Sequence, residues 1–553
     1  MGNENETTED FEARADACLG EGRRQEAIAL YARAILASPE RLRAKEQFMK
    51  LAGRAVVDAF DPLIGGAILG CLRSARLVDC QQMQKLWLSH VTAHPDFRRA
   101  FGLHHLRHFD PANQTFLRGL RDFRPLMTDC FLEGIKHIVP TVPLFEEFMT
   151  HLRRHLLLHP DLFEDRLTLA TALAQYAFNT GYILDTTDEE ADDLRNLGTD
   201  DEDLAVLACY RPLLDCGVPS TVLGGRTSLR ELYLTQVEAP DRLARTRVLA
   251  LTEVDDRSSP VRAMYEAFPY PAWTSLSVGE VARQWQQSRR SQEIEGHLGG
   301  RRIRILIAGC GTGVEALSYA AIFPQAEVLA IDLSRNSLAY AMGKAQELGI
   351  ENVQFRQADI LKLDGCGERF EYIVSSGVLH HLADPFQGWR TLRGLLAPEG
   401  LMKIALYSGL ASRHVLKAQA VARALGYDDL KQFRKDGPAL LDPETLHHLV
   451  SLGDYYNLSM YKDLLFHVQD HHFSIPQLAG MLEKLELEFA GFHVSPAVTE
   501  AYLKQHPDDP RQTDWQHWHD FEIGHPDTFR SMYMLWCRPA PERSPMGKPS
   551  SQG

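Results

Sequence analysis

The sequence predicts an α/β protein, in which a doubly wound, mostly parallel sheet follows an all-helical N-terminal region. Two observations lead to this prediction. From residue 301 onward, short apolar runs alternate with helical patterns, as expected for β-α-β units that build a parallel sheet. The first part of the chain, about 200 residues, instead spaces its apolar residues three and four apart, which is the periodicity of amphipathic helices.

The predicted strands fall into a block of five and a later pair. Helical patterns separate the first four strands, and a turn at 396–400 precedes the fifth. A helical stretch at 410–485 then separates the fifth strand from the last two. The predicted strands are 303–308, 327–331, 353–358, 371–375, 401–406, 488–493 and 532–537.

The N-terminal helices contain one segment with a more specific pattern. Residues 10–39 read as a helical hairpin, and Ala27, Tyr31, Ala34 and Pro39 have a spacing that resembles the second helix of a tetratricopeptide repeat. No second copy follows 34 residues later, as a true array would require. An ordinary amphipathic helix pair explains the same residues equally well.

Changes in composition divide the chain into five predicted segments. A tetratricopeptide-like hairpin (1–60) and an all-α domain (61–215) are followed by a connector and lid segment (216–300). The catalytic domain is expected at 301–538, with a helical insertion at about 410–485. The end of the chain, 539–553, is rich in Pro and Ser and is predicted to be disordered.

Composition indicates an ordinary folded protein and argues against several partners. The 553 residues are 44% hydrophobic and 24% charged, which excludes a disordered, collagen-like or disulfide-rich chain. The 59 basic and 74 acidic residues give a net charge of −15. An acidic chain is not expected to bind nucleic acid or an anionic membrane.

The cysteines and the N-terminus favour a cytoplasmic location. The nine cysteines form no C-x-x-C pair, so they predict reduced thiols rather than disulfides or a zinc site. The acidic start cannot be a secretory signal. The uncharged run 167–184 contains several polar residues, so a buried core helix is expected there rather than a membrane span.

The strongest functional signal is a glycine-rich turn between the first strand and a helix. Gly309, Gly311 and Gly313 lie at alternate positions around Cys310, so the backbone can approach a ligand closely. The following helix N-terminus presents N–H groups suited to a carboxylate or phosphate. This spacing is typical of S-adenosylmethionine sites, but Gly311-x-Gly313-x-x-Ala316 also fits a dinucleotide fingerprint.

Acidic residues at the ends of the next two strands complete the predicted cofactor site. Asp332 ends the second strand, where a carboxylate accepts hydrogen bonds from ribose hydroxyls with either cofactor. Asp359 and Ile360 end the third strand, where the carboxylate suits an adenine amino group and the apolar neighbour suits its ring. The fourth strand runs into Ser375-Ser-Gly-Val-Leu-His-His-Leu-Ala-Asp-Pro385.

Together these segments resemble class I S-adenosylmethionine-dependent methyltransferases of the branch that carries an LHHLxDP segment. The flanks, which include Tyr265-Glu266, Pro269-Tyr-Pro271 and Trp518-His519, are similar to bacterial tetratricopeptide-linked methyltransferases. The resemblance implies a seven-stranded, Rossmann-like sheet whose last strand is antiparallel. It also implies S-adenosyl-L-methionine as the cofactor.

The resemblance assigns roles to individual residues. The glycines would cradle the methionine part of the cofactor, and Cys310 would fill space inside the turn rather than act as a nucleophile. Asp332 would hold the ribose, and Asp359 with Ile360 the adenine. Ser375 and Ser376 would line the face of the methyl donor. The residues expected to contact the cofactor are Gly309, Cys310, Gly311, Gly313, Asp332, Leu333, Asp359, Ile360, Ser375 and Ser376.

The catalytic candidates are His380 and Tyr407. His380 follows the fourth strand and would act as a base if the acceptor must lose a proton, although it could equally pack against the sheet. Tyr407 ends the fifth strand and either faces the acceptor or belongs to the core. His467 and His471 would share one helix face, yet local hydrogen bonding is favoured over a metal site. Pro269-Tyr-Pro271 is expected to form a lid.

The resulting hypothesis is a methyltransferase that acts by direct displacement on an unidentified acceptor, either a protein or a small molecule. The N-terminal helices would dock a protein partner. The alternative is a non-catalytic cofactor-binding scaffold that acts through those helices. An NAD-dependent oxidoreductase ranks last, because it gives no role to Asp359 and His380.

Overall fold

The computed structural model describes residues 7–97, 123–287, 296, 303–364 and 367–541. Contacts within the chain group it into two units. The first contains Met1–Arg247, Phe268–Gln284 and Lys417–Phe466, and the second contains Val248–Ala267, Trp285–Leu416 and His467–Gly553. The predicted segment boundaries are not tested by this grouping and stay a prediction. The tail predicted to be disordered lies almost wholly outside the described residues.

The first unit is helical in its described residues. The predicted hairpin is formed by Thr8–Gly20 and Arg24–Ala37, and Ala27, Tyr31 and Ala34 are buried between its helices. Its other helices are Leu42–Ala52, Pro62–Leu72, Gln84–Ala93, Asp129–His137, Pro143–Leu158, Arg166–Asn179, Asp188–Asp193, Asp201–Leu207, Ser220–Leu223, Arg230–Tyr233, Ala239–Arg245, Leu430–Leu440, Pro443–Ser451 and Leu458–Phe466.

The uncharged run predicted as a core helix forms the helix Arg166–Asn179, and Leu169, Leu173 and Tyr176 are fully buried in it. Among the described residues, no helix combines the length and the apolar character needed to cross a bilayer.

The second unit contains a seven-stranded sheet. Its strands are β1 (Arg304–Ala308), β2 (Glu327–Asp332), β3 (Val353–Gln357), β4 (Phe370–Ser376), β5 (Leu396–Tyr407), β6 (Leu487–Phe492) and β7 (Met532–Pro539). Their order across the sheet is β3-β2-β1-β4-β5-β7-β6. β7 pairs antiparallel with β5 and β6, whereas the pairs among the first five strands are parallel. The predicted fold class is therefore confirmed.

The helices of the second unit connect these strands. They are Ser259–Ala267, Val314–Ile322, Arg335–Leu348, Pro385–Leu395, Ile475–Lys484, Pro496–Gln505 and Trp515–Gly524, while Val278–Gln287 and Arg413–Ala424 are divided between the units. Four of the five residues of β1 are buried, as expected for a central parallel strand that is covered on both faces.

The strand order places a switch point at the centre of the sheet. From β1 the chain moves to β2 and β3 on one side, and from β4 it continues to β5 on the other. The connections that leave the carboxyl ends of β1 and β4 therefore run in opposite directions. The crevice between such connections is where open α/β sheets bind their ligands.

Two details of the sheet differ from the sequence prediction. The turn expected at 396–400 is part of β5, which already pairs with β4 at Leu396 and Phe370 before the register shifts. A segment that gave no strand signal also joins the edge, because Ala250 forms a parallel bridge with Gln357 of β3. Both depend on pairing partners far away in the chain, which local periodicity does not reveal.

Candidate functional site

The glycine turn leaves no room for a side chain at its first and last glycines. Gly309 and Gly313 have φ of +80° and +95°, in the region that disfavours residues with a Cβ atom. A Cβ on Gly309 would lie 2.3 Å from the side chain of Val378, and one on Gly313 would lie 2.5 Å from that of Ala341. Glycine is therefore required at both positions by conformation and by packing.

The turn is tied to β2 and leads into an open helix end. The backbone N–H groups of Gly309 and Cys310 both donate to the carbonyl of Ile331, at 2.8 and 2.9 Å. The helix Val314–Ile322 has Gly313 as its N-cap residue, and glycine has no side chain with which to cap it. Its first N–H groups are therefore available to an anionic ligand group.

Cys310 lies buried inside this turn. Burial raises the pKa of its thiol well above the ordinary value, so the reactive thiolate is disfavoured. This environment fits the predicted space-filling role rather than that of a nucleophile.

Asp332 joins the glycine turn to the following helix. Its Oδ2 accepts a hydrogen bond from the Gly311 N–H at 2.7 Å, and its Oδ1 accepts one from the Ser334 N–H at 2.9 Å. Burial raises the pKa of this carboxyl. Each carboxylate oxygen can accept a further hydrogen bond, so the residue fits a ribose while it also holds the turn.

Glu266 is a structural carboxylate beside Asp332 that was not among the predicted site residues. It accepts from the backbone N–H groups of Arg335 and Asn336 at 2.8 and 3.0 Å, and so binds the positive end of the helix Arg335–Leu348. The Ser334 hydroxyl donates to the carbonyl of Tyr265 at 3.1 Å. The Tyr265-Glu266 pair in the sequence was the only signal for this anchor.

Asp359 is fully buried at the end of β3. Its Oδ2 accepts from the Asp255 N–H and its Oδ1 from the Leu361 N–H, both at 2.9 Å. Its own N–H donates to the Thr252 hydroxyl at 2.8 Å. The side chain thus holds the segment beside β3, next to buried Ile360, and its contact with adenine stays a prediction.

The two serines at the end of β4 have protein partners. The Ser375 hydroxyl is buried and donates to the carbonyl of Ala308 at 3.0 Å, which joins β4 to β1. The Ser376 hydroxyl donates to Glu315 at 3.1 Å, and the same carboxylate oxygen accepts from Lys403 at 2.8 Å. The structure therefore brings both serines to the glycine turn and its helix.

Leu333 is half-buried beside Asp332, and its backbone carbonyl accepts a hydrogen bond from the side chain of Gln357.

Beyond β4 and β5, aromatic rings form what we call the histidine cluster. The rings of His380 and Tyr407 stack with centroids 3.8 Å apart, and those of His381 and His467 stack at 3.7 Å. His472 stacks on Tyr407 at 5.2 Å and Tyr265 lies 5.7 Å from His467. The cluster consists of Tyr265, His380, His381, Tyr407, His467 and His472.

His380 presents a donor rather than a lone pair to its surroundings. The Tyr407 N–H donates to its Nδ1 at 3.3 Å, which assigns the ring proton to Nε2. In the described part of the chain nothing accepts from this buried Nε2. Burial, together with the neighbouring histidines, lowers the pKa of His380 well below its ordinary value, so the ring is neutral. Its predicted role as a base is not tested and stays a prediction.

His381 has the opposite tautomer. Its Nδ1 lies 3.0 Å from the carbonyl of Gln469, which can only accept, so Nδ1 carries the proton and Nε2 the lone pair. The Gln469 side chain donates back to the His381 carbonyl at 3.1 Å. Burial lowers the pKa of His381 to about 4. His381 was not among the predicted site residues, because the sequence pattern around it is the same as that around His380 and does not distinguish the two.

The predicted geometry of His467 and His471 is wrong. The helix ends at Phe466, so the two residues do not share a helix face. Instead, His467 Nδ1 accepts from the Gln469 N–H at 2.9 Å, and the His471 N–H donates to the His380 carbonyl at 2.9 Å.

The segment Pro269-Tyr-Pro271 belongs to the first unit, and its role as a lid stays a prediction.

The fold and the site together define a class of protein. A dinucleotide-binding sheet has the order 3-2-1-4-5-6, whereas here an antiparallel β7 lies between β5 and β6. Residues 301–449 match a family model described as a methyltransferase domain. The methyltransferase domain that the sequence predicted is thus confirmed over these residues. The tetratricopeptide resemblance of the N-terminal hairpin stays a prediction.

Individual relatives resemble parts of the chain. An uncharacterized protein of Synechococcus sp. is 32% identical over 34% of this chain and 45% of its own length. A ubiquinone biosynthesis O-methyltransferase of Caulobacter sp. is 33% identical over 24% of this chain and 54% of its own length. The chain thus spans about half the length of these relatives. The solved structure of PKMT2 from Rickettsia typhi in complex with AdoHcy is 20% identical, with a TM-score of 0.35, over 43% of this chain and 48% of that one.

Proposed function

We propose that this protein is a methyltransferase that uses S-adenosyl-L-methionine and transfers the methyl group to an acceptor by direct displacement. The observation that carries the proposal is the glycine turn, which has no space for a side chain at Gly309 or Gly313 and is bound through Asp332 to the end of β2. The uncapped helix that follows suits the carboxylate of the methionine moiety. Asp332 suits the ribose hydroxyls.

The bound cofactor supplies a methyl group that is activated by the positive charge on its sulfur. The protein must then hold the acceptor in line in a site that excludes water. The histidine cluster lies at the ends of β4 and β5, where the acceptor is expected. The buried His380 and His381 of this cluster are neutral and differ in tautomer. The cluster therefore offers a hydrogen-bond donor at Nε2 of His380 and an accepting lone pair at Nε2 of His381.

We assign the proton-accepting role to His381 rather than to His380. A hydroxyl or amine acceptor that received the methyl group which the bound cofactor would supply would have to release a proton. The Nε2 lone pair of His381 takes up that proton, because its Nδ1–H is held by the Gln469 carbonyl. The Nε2–H of His380 donates a hydrogen bond to the acceptor. Tyr407 holds the His380 ring by stacking.

The acceptor is either a small molecule or a protein. The relative named a ubiquinone biosynthesis O-methyltransferase supports testing hydroxyl acceptors first. Docking of a protein acceptor by the N-terminal helices remains the alternative. A cytoplasmic location is supported by the eight described cysteines, which are all free thiols. Nucleic acid and membrane are not proposed as partners, given the net charge of −15.

The test is calorimetric titration of the purified chain with S-adenosylmethionine, S-adenosylhomocysteine and NAD. We expect the first two to bind and NAD not to. Asp332→Asn should weaken binding about tenfold to a hundredfold, because a hydrogen bond to a charged group contributes about 1.5–3 kcal/mol. The matched control is Asp442→Asn, whose side chain caps the helix Pro443–Ser451 and should leave affinity unchanged.

A second experiment separates an enzyme from a non-catalytic scaffold. The full chain is incubated with cell extract and S-adenosylmethionine that carries a labelled methyl group, and the protein and small-molecule fractions are counted. Label in either fraction that requires the added chain supports transfer and identifies the acceptor class. Cofactor binding without any transferred label would favour the scaffold. Preference for NAD would overturn the proposal.

A further inference from the structure

Two histidines and an aspartate converge in the connection between β6 and β7, apart from the glycine turn and the histidine cluster. His506 directly follows the helix Pro496–Gln505, Asp508 comes two residues later, and His517 lies in the first turn of Trp515–Gly524. One possible ligand atom from each lies within 4.8 Å of the others. His517 Nε2 is 3.9 Å from Asp508 Oδ2.

Two of the imidazole nitrogens in this group have no hydrogen-bond partner among the described residues. His506 Nε2 and His517 Nδ1 are buried, and within the described residues neither has a hydrogen-bond partner. The two rings stack with centroids 4.3 Å apart and planes 17° apart. Buried polar atoms in folded proteins nearly always have a partner, so two such nitrogens together indicate a missing one. Asp508 is exposed, which leaves the group accessible to an ion from solution.

The loop that carries these residues is held by its own hydrogen bonds. Asp509 accepts from the Tyr502 hydroxyl at 2.6 Å, from the Asp514 N–H at 2.9 Å and from the Thr513 N–H at 3.1 Å. The Trp518 indole N–H donates to the Gln512 carbonyl at 2.9 Å. Because Asp509 already holds the backbone, Asp508 and the two histidines are not needed for that purpose.

We propose that His506, Asp508 and His517 form a binding site for a divalent transition-metal ion, with Zn²⁺ as the expected occupant. Imidazole nitrogens and one carboxylate suit zinc and its neighbours rather than Mg²⁺ or Ca²⁺, which prefer all-oxygen sites. Tetrahedral zinc with bonds of about 2.0–2.1 Å needs ligand atoms closer than they now lie. Binding would therefore require the two stacked rings to turn so that their in-plane lone pairs converge on the ion, with the fourth position taken by water.

The site would clamp the connection between β6 and β7. The ion would join the end of the helix Pro496–Gln505 to the start of the helix Trp515–Gly524. The second helix leads into β7, which pairs with both β5 and β6. Because the ion binds the folded arrangement and not the unfolded chain, it should raise the thermal stability of the protein.

The test is calorimetric titration of the full chain, pretreated with EDTA, with ZnCl₂ and with MgCl₂. We expect one Zn²⁺ site that Mg²⁺ does not fill, together with a rise in melting temperature. His506→Gln and His517→Gln should each weaken this site at least tenfold. His525→Gln is the matched control, because this exposed histidine directly follows the same helix but lies outside the proposed site. Its Nδ1 is 3.0 Å from the Phe521 carbonyl, and its ring stacks on that of Phe521. It should leave zinc binding unchanged.

Asp508→Asn provides a variant that should fold normally, since its side chain is exposed, and it should also weaken the site. Zinc binding that is unchanged in all three variants, or no zinc binding by the full chain, would overturn the proposal. Replacing the ZnCl₂ with CoCl₂ adds a spectroscopic readout, because two imidazoles and a carboxylate give cobalt a visible absorption that His517→Gln should remove. Binding of S-adenosylmethionine by the same variants should not change, so this result is independent of the proposed activity.

Discussion

The glycine turn and the histidine cluster lie at the ends of strands of one sheet, yet they are built in opposite ways. The glycine turn is held by hydrogen bonds from its backbone N–H groups to one backbone carbonyl and one carboxylate. All of these groups belong to a few consecutive residues and to the adjacent strand β2. The cluster is made of side chains from segments that are far apart in the sequence, at Tyr265, His380, Tyr407 and His467. The proposed cofactor site therefore leaves a pattern in neighbouring residues of the sequence, whereas the proposed acceptor site depends on residues that only the fold brings together.

The largest effect is expected where packing excludes a side chain. Gly309→Ala should lower the free energy of unfolding by about 3 kcal/mol and abolish S-adenosylmethionine binding, because it combines a left-handed φ with overpacking against Val378. Urea unfolding and calorimetry measure the two effects. The control is Gly349→Ala, where φ is +67° and a Cβ meets no atom within 4 Å, so only about 1 kcal/mol should be lost.

A second variant tests the cause of that loss. Adding Val378→Ala to Gly309→Ala removes the clashing methyl groups and should recover part of the stability. A double-mutant cycle with the single Val378→Ala variant measures this coupling. If the two substitutions were simply additive, the clash would not be the reason for glycine at this position.

A substitution at Asp359 tests whether the proposed cofactor site extends to the end of β3. Asp359→Asn should lower the free energy of unfolding by about 2 kcal/mol. The amide has one accepting oxygen in place of two, so either the Asp255 N–H or the Leu361 N–H would face an NH2 group that cannot accept. If the carboxylate acts only on the protein backbone, the cofactor affinity of the folded variant stays at the wild-type value. Should calorimetry show a loss like that of Asp332→Asn, adenine contact would be established instead.

The last effect concerns the charge state of the histidine cluster. The pKa of His381 is lowered by burial to about 4, below the value of about 6.5 in an unfolded chain. Between these values the unfolded state binds more protons, so this residue costs stability as the pH falls from 6.5 towards 4. Relative to pH 7, the loss at pH 5 should be about 2 kcal/mol.

His381→Gln should remove this part of the pH dependence, as measured by urea unfolding at pH 5 and pH 7. His90, in the other unit, also has a pKa lowered to about 4 by burial, so some acid sensitivity should remain. The control His525→Gln should behave like the wild type at both pH values. An unchanged slope in His381→Gln would mean that this ring is not buried in a neutral form.

Sequence reasoning anticipated the fold because its signals are local. Alternating apolar runs predicted the strands that the sheet contains, and the resemblance implied the antiparallel β7. Glycine at three alternate positions, followed by Asp332 at the end of the next strand, likewise located the turn. The sequence did not reveal that Glu266 binds the helix after β2, or that Ala250 extends the sheet edge, since both depend on contacts between distant segments.

By itself, the sequence determined the α/β class, the position of the glycine turn and the position of the segment 375–381 after the fourth strand. Backbone conformation and apolar periodicity are properties of neighbouring residues, so they can be read from the sequence. Only the tertiary structure decided the chemical state of each histidine. His380 and His381 are identical and adjacent in the sequence, but one accepts from the Tyr407 N–H and the other donates to the Gln469 carbonyl. A tautomer is set by the hydrogen-bond partner in space, and for these rings that partner comes from another part of the chain.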